Sequence, residues 1–178
     1  MLKIIAIIVG LAAVVSGAIL AYAATKPDTF RVQRSLEIKA PPEKLYGILT
    51  DLRQSVQWSP YEKKDPDMKR TYGGAPKGKG AIYEWDGDRN VGAGRIEIAD
   101  VTPAKKVTLK LDMLRPFAAS NVVDYTLEPS GDATRVTWSM QGAMPYPAKV
   151  MSVIVDMDKM VGTDFEVGLT NLKAYAER

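Results

Sequence analysis

Hydrophobic positions near the start of the chain form one unbroken run. Residues 4–24, IIAIIVGLAAVVSGAILAYAA, contain no charge, and about 20 apolar residues allow a helix to cross the bilayer hydrocarbon. Lys3 precedes the run and Lys26 follows it. We expect residues 1–25 to form a transmembrane anchor. The alternative is a secretory signal segment cleaved after Ala21-Tyr22-Ala23, although the run exceeds the roughly 7–15 apolar residues that are usual there.

Two opposed patterns bear on the side of the membrane that holds the rest of the chain. Basic residues follow the apolar run, Lys26, Arg31 and Arg34 among them, and the positive-inside rule alone would place them in the cytoplasm. A short amino-terminal tail before a long folded domain is instead typical of simple export anchors. We expect a single-pass membrane protein whose domain lies outside the cytoplasmic membrane.

Residues 26–178 show the patterns of one α+β domain. Alternation over 29–40 predicts a strand. Pro41 and Pro42 end it and begin a helix whose apolar stripe includes Leu45 and Leu49. Residues 62–80 are rich in charge, glycine and proline, and predict a loop. Alternating runs then predict antiparallel strands over 81–87, 91–101, 106–114, 121–129 and 135–142.

A long amphipathic helix closes the chain. Its apolar stripe steps by three or four residues, and the face opposite, from Lys149 to Lys173, is polar; the stripe consists of Val150, Ile154, Met157, Val161, Phe165, Gly168 and Leu172. We expect this helix to lie across the sheet. Met151, Met157 and Met160 are adaptable, and Gly162 and Gly168 remove bulk. These residues suit a helix that closes over a cavity or, as the alternative, one that packs directly on the sheet; the residue types alone do not decide for the cavity.

Composition limits the chemistry that is available. The chain of 178 residues has a net charge of only +3, no cysteine and no histidine. These absences exclude disulfides, cysteine nucleophiles and Ser-His-Asp triads, and they remove most zinc sites. The weak charge gives no support for nucleic-acid binding. Phosphate-loop, calcium-loop and Gly-x-Ser-x-Gly patterns do not occur. We therefore expect no metal site and no cofactor.

Four segments carry a resemblance to a known family. They are RSLEIKAPPEKLYGILTDLRQSVQWSPY, GKGAIYEWDGDRNVGAGRIEI, TRVTWSMQG and MDKMVGTDFEVGLTNLK. In this order they resemble the START-like (SRPBCC) superfamily, and its polyketide cyclase/dehydrase branch in particular, from Phe30 to Arg178. The resemblance implies a helix-grip (START/Bet v 1-like) fold, in which a curved antiparallel sheet wraps around a long carboxy-terminal helix beside a deep apolar cavity. Because the superfamily includes lipid carriers, hormone receptors, cyclases and chaperone activators, it implies no single function.

Ligand-binding candidates are inward-facing residues of the strands and the last helix, with two residues beside the expected cavity mouth. Phenol and indole groups among them could orient a ligand, while each residue singly is also compatible with an ordinary core. The candidates are Trp58, Tyr61, Tyr83, Trp85, Leu111, Met113, Tyr125, Trp138, Met140, Met157, Val161 and Phe165.

Charged residues on the strands alternate with those candidates. Glu84, Arg95, Glu97 and Asp112 fall on the face turned away from the helix. We expect them to form solvent-facing pairs, unless a β-bulge turns Glu84 or Arg95 into the cavity. No carboxylate is singled out by its sequence context, so no catalytic residue is identified.

Three functions are compatible with these patterns. The first is a membrane-anchored domain that binds a hydrophobic small molecule or lipid, for carriage or sensing; its partners are that molecule and, through the amino-terminal helix, the membrane. The second is a metal-free enzyme of the polyketide cyclase or aromatase type, which would work with Tyr, Asp, Glu or Arg. The third is a structural or interaction module with a filled interior. The patterns favour the first, and they indicate no particular protein partner.

Overall fold

The computed structural model describes residues 2–178, with side chains from Lys3 onward, and contains one α+β domain preceded by a helix. The helices are α1 (Leu2–Ala24), α2 (Pro42–Leu49), α3 (Ser55–Trp58), α4 (Pro60–Lys64), α5 (Tyr146–Ile154) and α6 (Met157–Ala176), with a 3₁₀ turn at Leu52–Gln54. The strands are β1 (Thr29–Ile38), β2 (Lys69–Gly74), β3 (Ala81–Asp86), β4 (Ala93–Thr102), β5 (Lys106–Arg115), β6 (Ala119–Ser130) and β7 (Ala133–Ala143).

The seven strands form one antiparallel sheet in the order β1-β7-β6-β5-β4-β3-β2. Helix α6 packs on β1 and β7, and α2 packs on β5 and β6. Side chains of the sheet and of these helices form a continuous core that includes Ile38, Leu45, Ile98, Val136 and Leu172, all fully buried. The expected helix-grip architecture, a curved sheet around a carboxy-terminal helix, is confirmed.

One end of the sheet lies beside the end of α1. Strand β1 begins there at Thr29, and its register partner Ala143 ends β7. Because neighbouring strands are antiparallel, the β5–β6 hairpin turn (residues 116–118) and the β3–β4 turn (residues 87–92) lie at the same end. We call this end of the sheet the α1 end. Helix α5 follows β7 directly and therefore starts there too.

Helix α1 is long and apolar enough to cross a membrane from Lys3 to Ala24, and its most apolar stretch contacts nothing else in the chain closely enough to be buried. A signal sequence near an amino terminus would pass the same test of length and composition. The helix is therefore compatible with a membrane anchor and with a signal sequence.

The expectation of a loop over residues 62–80 is wrong, because this segment contains α4's last turn and the edge strand β2. The strand has Tyr72 as its one large apolar side chain and ends in two glycines. Its sequence therefore lacks the apolar alternation that predicts a strand. Pairing along β3, with Tyr72 opposite Tyr83, supplies the order that the local sequence does not.

The expectation of one unbroken helix from Val150 is also wrong, because the chain breaks between α5 and α6. Val155 is extended, and Asp156 caps α6 by accepting a hydrogen bond from the backbone N–H of Lys159 at 3.0 Å. Asp is a preferred N-cap residue because its carboxylate satisfies a free N–H of the first turn. The break changes the helical phase: Ile154 is 75% exposed, and Lys149, expected on the polar face, is buried.

Candidate functional site

Burial of the sheet's inner face, the one that faces α6, decreases toward the α1 end. A row of register neighbours across five strands is buried throughout: Val32, Met140, Val123, Leu109 and Ile98. The next row toward the α1 end includes Phe30, Leu111 and Ile96, which are only half-buried, as are Met113 and Trp85 beyond it. We call Phe30, Trp85, Ile96, Leu111 and Met113 the inner patch. It is an apolar surface inside the fold that the helices cover incompletely.

The position of α6 explains why the inner patch is left partly open. Arg34, which points inward from β1, donates to Glu166 at 2.6 Å and to Asp158 at 2.9 Å. Gly162 makes room for the guanidinium, since a Cβ atom there would lie 2.0 Å from Nη2 of Arg34. The hydrogen bond from Arg34 lowers the pKa of Asp158. The first half of α6 is thus held over β1, at the side of the sheet, rather than over β4 and β5.

An aromatic cluster fills the interior on the other side of the buried row from the inner patch. Trp138 stacks on Phe165 with ring centroids 4.2 Å apart, and Tyr125 lies 5.1 Å from Trp138. Trp58 meets both edge-on, at 5.8 Å from Trp138 and 6.0 Å from Tyr125. Gly168 lets the Trp138 ring approach α6, because a Cβ atom at this glycine would lie 2.5 Å from Cζ3 of the ring. At Gly168 the helix therefore packs directly on the sheet, as the alternative to a cavity predicted.

The methionines of the terminal helices do not form the expected soft inner wall. Met151 and Met160 are each 53% exposed, and Met157 is half-buried in the first turn of α6. Because the chain breaks between α5 and α6, Met151 and Met160 point outward. Their spacing on one continuous helix would have placed them differently. The prediction of a cavity walled by methionine and glycine is wrong for Met151, Met160, Gly162 and Gly168.

Two buried indole N–H groups lack a hydrogen-bond partner within the described residues, Nε1 of Trp58 and Nε1 of Trp138. Both rings belong to the aromatic cluster. A buried donor without an acceptor costs about 1–3 kcal/mol relative to a paired one.

The phenols of the interior are held neutral. Burial raises the pKa of Tyr125 far above its usual range, and the nearby Tyr61 contributes to the increase. Burial also raises the pKa of Tyr61, with a smaller contribution from Asp164. Both hydroxyls therefore stay protonated, polar and uncharged.

A buried polar triad lies beside the inner patch and was missed in the sequence. Glu62 of α4 has a nearly fully buried carboxylate, which accepts a hydrogen bond from the Tyr83 hydroxyl at 2.7 Å and from Nε of Arg70 at 2.7 Å. Burial, then the bond to Glu62, raises the pKa of Tyr83. Nothing in the sequence singles out Glu62, because its segment has the composition of a solvated loop.

Asn121 is a second residue that sequence reasoning missed. It is buried on the inner face between Leu111 and Gly142 in the register, and its amide lies over Gly142, where a Cβ atom would be 2.0 Å from Oδ1. The alternation that places Val123 inward also places Asn121 inward, so the pattern could have found it.

The strand charges lie on the outer face, as alternation predicts. Arg95 pairs with Glu97 at 2.7 Å and approaches Glu84 at 3.7 Å, and Asp112 accepts from Ser120 at 2.6 Å. This hydrogen bond is the main cause that lowers the pKa of Asp112. The β4–β5 bulge at Ala93/Gly94 does not turn Glu84 or Arg95 into the interior, and the two side chains remain neighbours on the outer face. Glu84, Arg95 and Asp112 line an open depression of about 820 Å³ that Trp85 and Met113 also border. A smaller depression of about 80 Å³ lies beside Tyr72.

The structure brings the sequence candidates into two groups, one on each side of the buried row. The aromatic cluster joins Trp58, Tyr125, Trp138 and Phe165; the inner patch contains Trp85, Leu111 and Met113, with Tyr83 stacked on Trp85 at 6.0 Å and Met140 in the next row. Tyr61 and Val161 pack against the same core, and Met157 lies at its edge. Their role in ligand binding stays a prediction.

Within residues 2–178, no group of three or more Asp and Glu side chains is arranged to hold a metal ion.

Comparison with solved structures shows the same fold in proteins of low sequence identity. Protein CV1439 of Chromobacterium violaceum has a TM-score of 0.60 at 14% identity, over 86% of this chain and 99% of its own. KanY has a TM-score of 0.63 at 16% identity, over 84% and 99%. The di-domain ARO/CYC protein StfQ of the steffimycin biosynthetic pathway has a TM-score of 0.61 at 13% identity, over 84% of this chain and 51% of its own. A search of curated protein sequences gave no match.

A family model matches residues 29–177, from the first residue of β1 to one residue beyond α6. The match covers the whole helix-grip domain and confirms the resemblance to the START-like superfamily and its polyketide cyclase branch. It includes the inner patch, the aromatic cluster and the Glu62 triad. The chain belongs to the polyketide cyclase / dehydrase and lipid transport family.

Proposed function

We propose that this protein binds a hydrophobic molecule, a lipid or a small apolar compound, over the inner patch, and that α1 holds the domain at a membrane for carriage or sensing of that molecule. The observation that carries the proposal is the half-buried state of the inner patch beside a fully buried row. Covering apolar surface releases about 25 cal/mol per Å², so a molecule seated here is stabilised without any rearrangement of the core.

Polar groups next to the inner patch indicate what else the molecule carries. Asn121, which lies between Leu111 and Gly142 in the register, offers a side-chain amide that is both donor and acceptor. Few polar groups among many apolar ones are typical of small-molecule sites. The best-fitting ligand therefore has a large apolar body and one or two hydrogen-bond acceptors. The family description, which includes lipid transport, supports this class.

A metal-free enzyme of the cyclase type is the second candidate, because the Glu62 triad brings a carboxylate, a phenol and a guanidinium together. The same family description names cyclases and dehydrases, and StfQ is an ARO/CYC protein. In this chain, however, the Glu62 carboxylate is already engaged by Tyr83 and Arg70. A general base must lie within reach of the substrate proton, and the Glu62 side chain is only 4% exposed. The triad therefore supports the packing of α4 on β2 and β3 more directly than it supports catalysis.

Photo-crosslinking tests the proposal on the full chain. The protein is placed in phosphatidylcholine vesicles containing a lipid with a diazirine in its acyl chain, and adducts are mapped by peptide mass spectrometry. We expect adducts on β3 and β5 at the inner patch. Leu111→Asp should remove them, whereas Val122→Asp, on the outer face of the adjacent strand, should not. Adducts on α1 without any on the inner patch would contradict ligand binding, because α1 reports that the reagent was accessible.

A further inference from the structure

Five of the nine large apolar side chains that are exposed outside α1 in the described chain belong to α5 and the β5–β6 hairpin at the α1 end; the other four are Val56, Val122, Met160 and Val167. On α5 they are Tyr146, Met151 and Ile154, the last 75% exposed. On the β5–β6 hairpin they are Leu114 and Phe117, and Phe117 is 76% exposed. Large apolar side chains that are exposed together mark a surface that is covered by a partner.

Helix α5 buries its charged residue and exposes apolar residues, the reverse of an ordinary surface helix. Its one charged residue, Lys149, is buried and pairs with Asp28 at 2.6 Å, while Tyr146, Met151 and Ile154 are exposed. In water the opposite arrangement is stable. A helix with this arrangement is stable where its outer face meets hydrocarbon and its inner face meets protein.

Contacts at the base of α1 fix α5 beside it. The Tyr146 hydroxyl donates to the carbonyl oxygen of Leu20 at 3.0 Å, and Nζ of Lys26 donates to the carbonyl oxygen of Ser152 at 3.3 Å. Ala23 is fully buried by this packing. The apolar surface of α5 is thus continuous with the apolar surface of α1.

The β5–β6 hairpin extends beyond the same end of the sheet, on the two strands next to β7. Asn121 is level with Gly142, one residue from the end of β7, and Phe117 lies four residues before Asn121 in the chain. At about 3.3 Å per residue, the turn extends on the order of 10 Å beyond that level. Phe117 and α5 are therefore two separate apolar projections at one end of the domain.

We propose that α5 and the β5–β6 hairpin turn form a second membrane contact, in which Met151, Ile154, Leu114 and Phe117 enter the bilayer interface next to α1. The proposal rests on the membrane-anchored part of the proposed function. Charges near this surface are mixed, with Arg89 and Lys159 exposed beside Asp88 and Asp156. Apolar insertion rather than attraction to anionic lipid holds the contact, so it persists in neutral phosphatidylcholine and at high salt. The inner patch then opens beside the bilayer from which a lipid enters.

Site-specific labelling tests the contact in the full chain, which contains no cysteine of its own. Ile154→Cys and Phe117→Cys variants are labelled with a polarity-sensitive fluorophore and reconstituted in phosphatidylcholine vesicles. Quenching by acyl-chain nitroxide lipids and by aqueous iodide is compared with Asp132→Cys, in the exposed turn at the opposite end of the sheet, and with Val9→Cys within α1.

We expect positions 117 and 154 to be quenched by the lipid nitroxide at least threefold more than position 132, and protected from iodide, in low and high salt. Iodide access equal to that of position 132 overturns the proposal. Protection from both quenchers also overturns it, because it shows a protein partner or a second copy on this surface. Position 9 separates the outcomes: lipid quenching there with none at 117 and 154 refutes the second contact alone. Ligand binding at the inner patch is measured independently by the crosslinking described above.

Discussion

The indole ring of Trp138 occupies the space that Gly168 leaves on α6. A Cβ atom at this glycine would lie 2.5 Å from Cζ3 of the ring, and the ring is held on its other side by Tyr125 and Trp58. The glycine therefore sets how closely α6 approaches β7. Because Trp138 also stacks on Phe165, the position of the whole aromatic cluster depends on this one missing methyl group.

Gly168→Ala should destabilise the domain. Overpacking a well-packed core costs typically about 1–3 kcal/mol, which exceeds the gain of at most about 1 kcal/mol from replacing a helical glycine by alanine. The matched control is Gly47→Ala in α2, where a Cβ atom would meet nothing within 4 Å. Urea unfolding of the full chain in detergent measures both. A midpoint for Gly168→Ala as high as that of Gly47→Ala would show that α6 can move away from the sheet freely.

Removal of the Asp28 carboxylate should lower the stability of the α1–α5 junction. The hydrogen bond from Lys149 lowers the pKa of Asp28. The carboxylate therefore stabilises the fold fully above its unfolded pKa of about 3.9, and this contribution is lost as pH falls through the lower folded value. Asp28→Asn should reduce the thermal midpoint at neutral pH, and the difference from the parent chain should close in acid.

Thermal unfolding from neutral pH into the acid range measures this difference. Asp132→Asn, in an exposed turn remote from α5, is the control and should show no such pH-dependent gap. A gap for Asp28→Asn that is constant with pH would mean that the ion pair to Lys149 does not stabilise the junction.

The sequence predicts the fold because most elements carry their own pattern. Alternation identifies β1 and β3 to β7, and the capping prolines mark the start of α2. It does not predict β2, since Tyr72 is ordered by pairing with Tyr83 on the next strand. Nor does it predict the break at Val155, because an apolar stripe with the correct spacing continues across it and only the cap at Asp156 distinguishes the two helices.

The candidate site is predictable to the same extent. Alternation places Trp138, Tyr125 and Leu111 inward, and the structure agrees. The burial of Glu62 could not be predicted, because it depends on Tyr83 and Arg70, which come from two strands that pair with each other. Likewise, the exposure of α5's apolar face depends on its contact with α1, which no local pattern encodes.

Loss of Arg34 should release the first half of α6 without unfolding the domain. Arg34 bridges Asp158 and Glu166, and it lies on an edge strand. Arg34→Met should accelerate hydrogen exchange of amides in the first two turns of α6 while amides near Leu172 remain protected. Arg31→Met is the control, because Arg31 is exposed and lies on the opposite face of the same strand. Unchanged exchange in the first turns would mean that packing, not these ion pairs, holds α6 over β1.

Tyr83→Phe should distinguish a structural role of the Glu62 triad from a catalytic one. The change removes the hydroxyl that donates to the buried carboxylate at 2.7 Å, and an unsatisfied buried group costs about 1–3 kcal/mol, more when charged. We expect the unfolding free energy to fall by about that amount. Tyr72→Phe, on the stacked neighbouring ring, is the matched control and should change it little, because Tyr72 is only half-buried.

Lipid crosslinking at the inner patch provides the second readout for Tyr83→Phe. If the triad only holds α4 in place, the variant is less stable but still acquires adducts on β5 under conditions where it is folded. If Tyr83 hydrogen-bonds the bound molecule, adducts decrease although the fold is intact. Because burial and Glu62 raise the pKa of Tyr83, its hydroxyl remains a donor throughout the physiological range. A decrease in adducts should therefore not vary with pH between about 5 and 9, well below the usual tyrosine pKa of about 10.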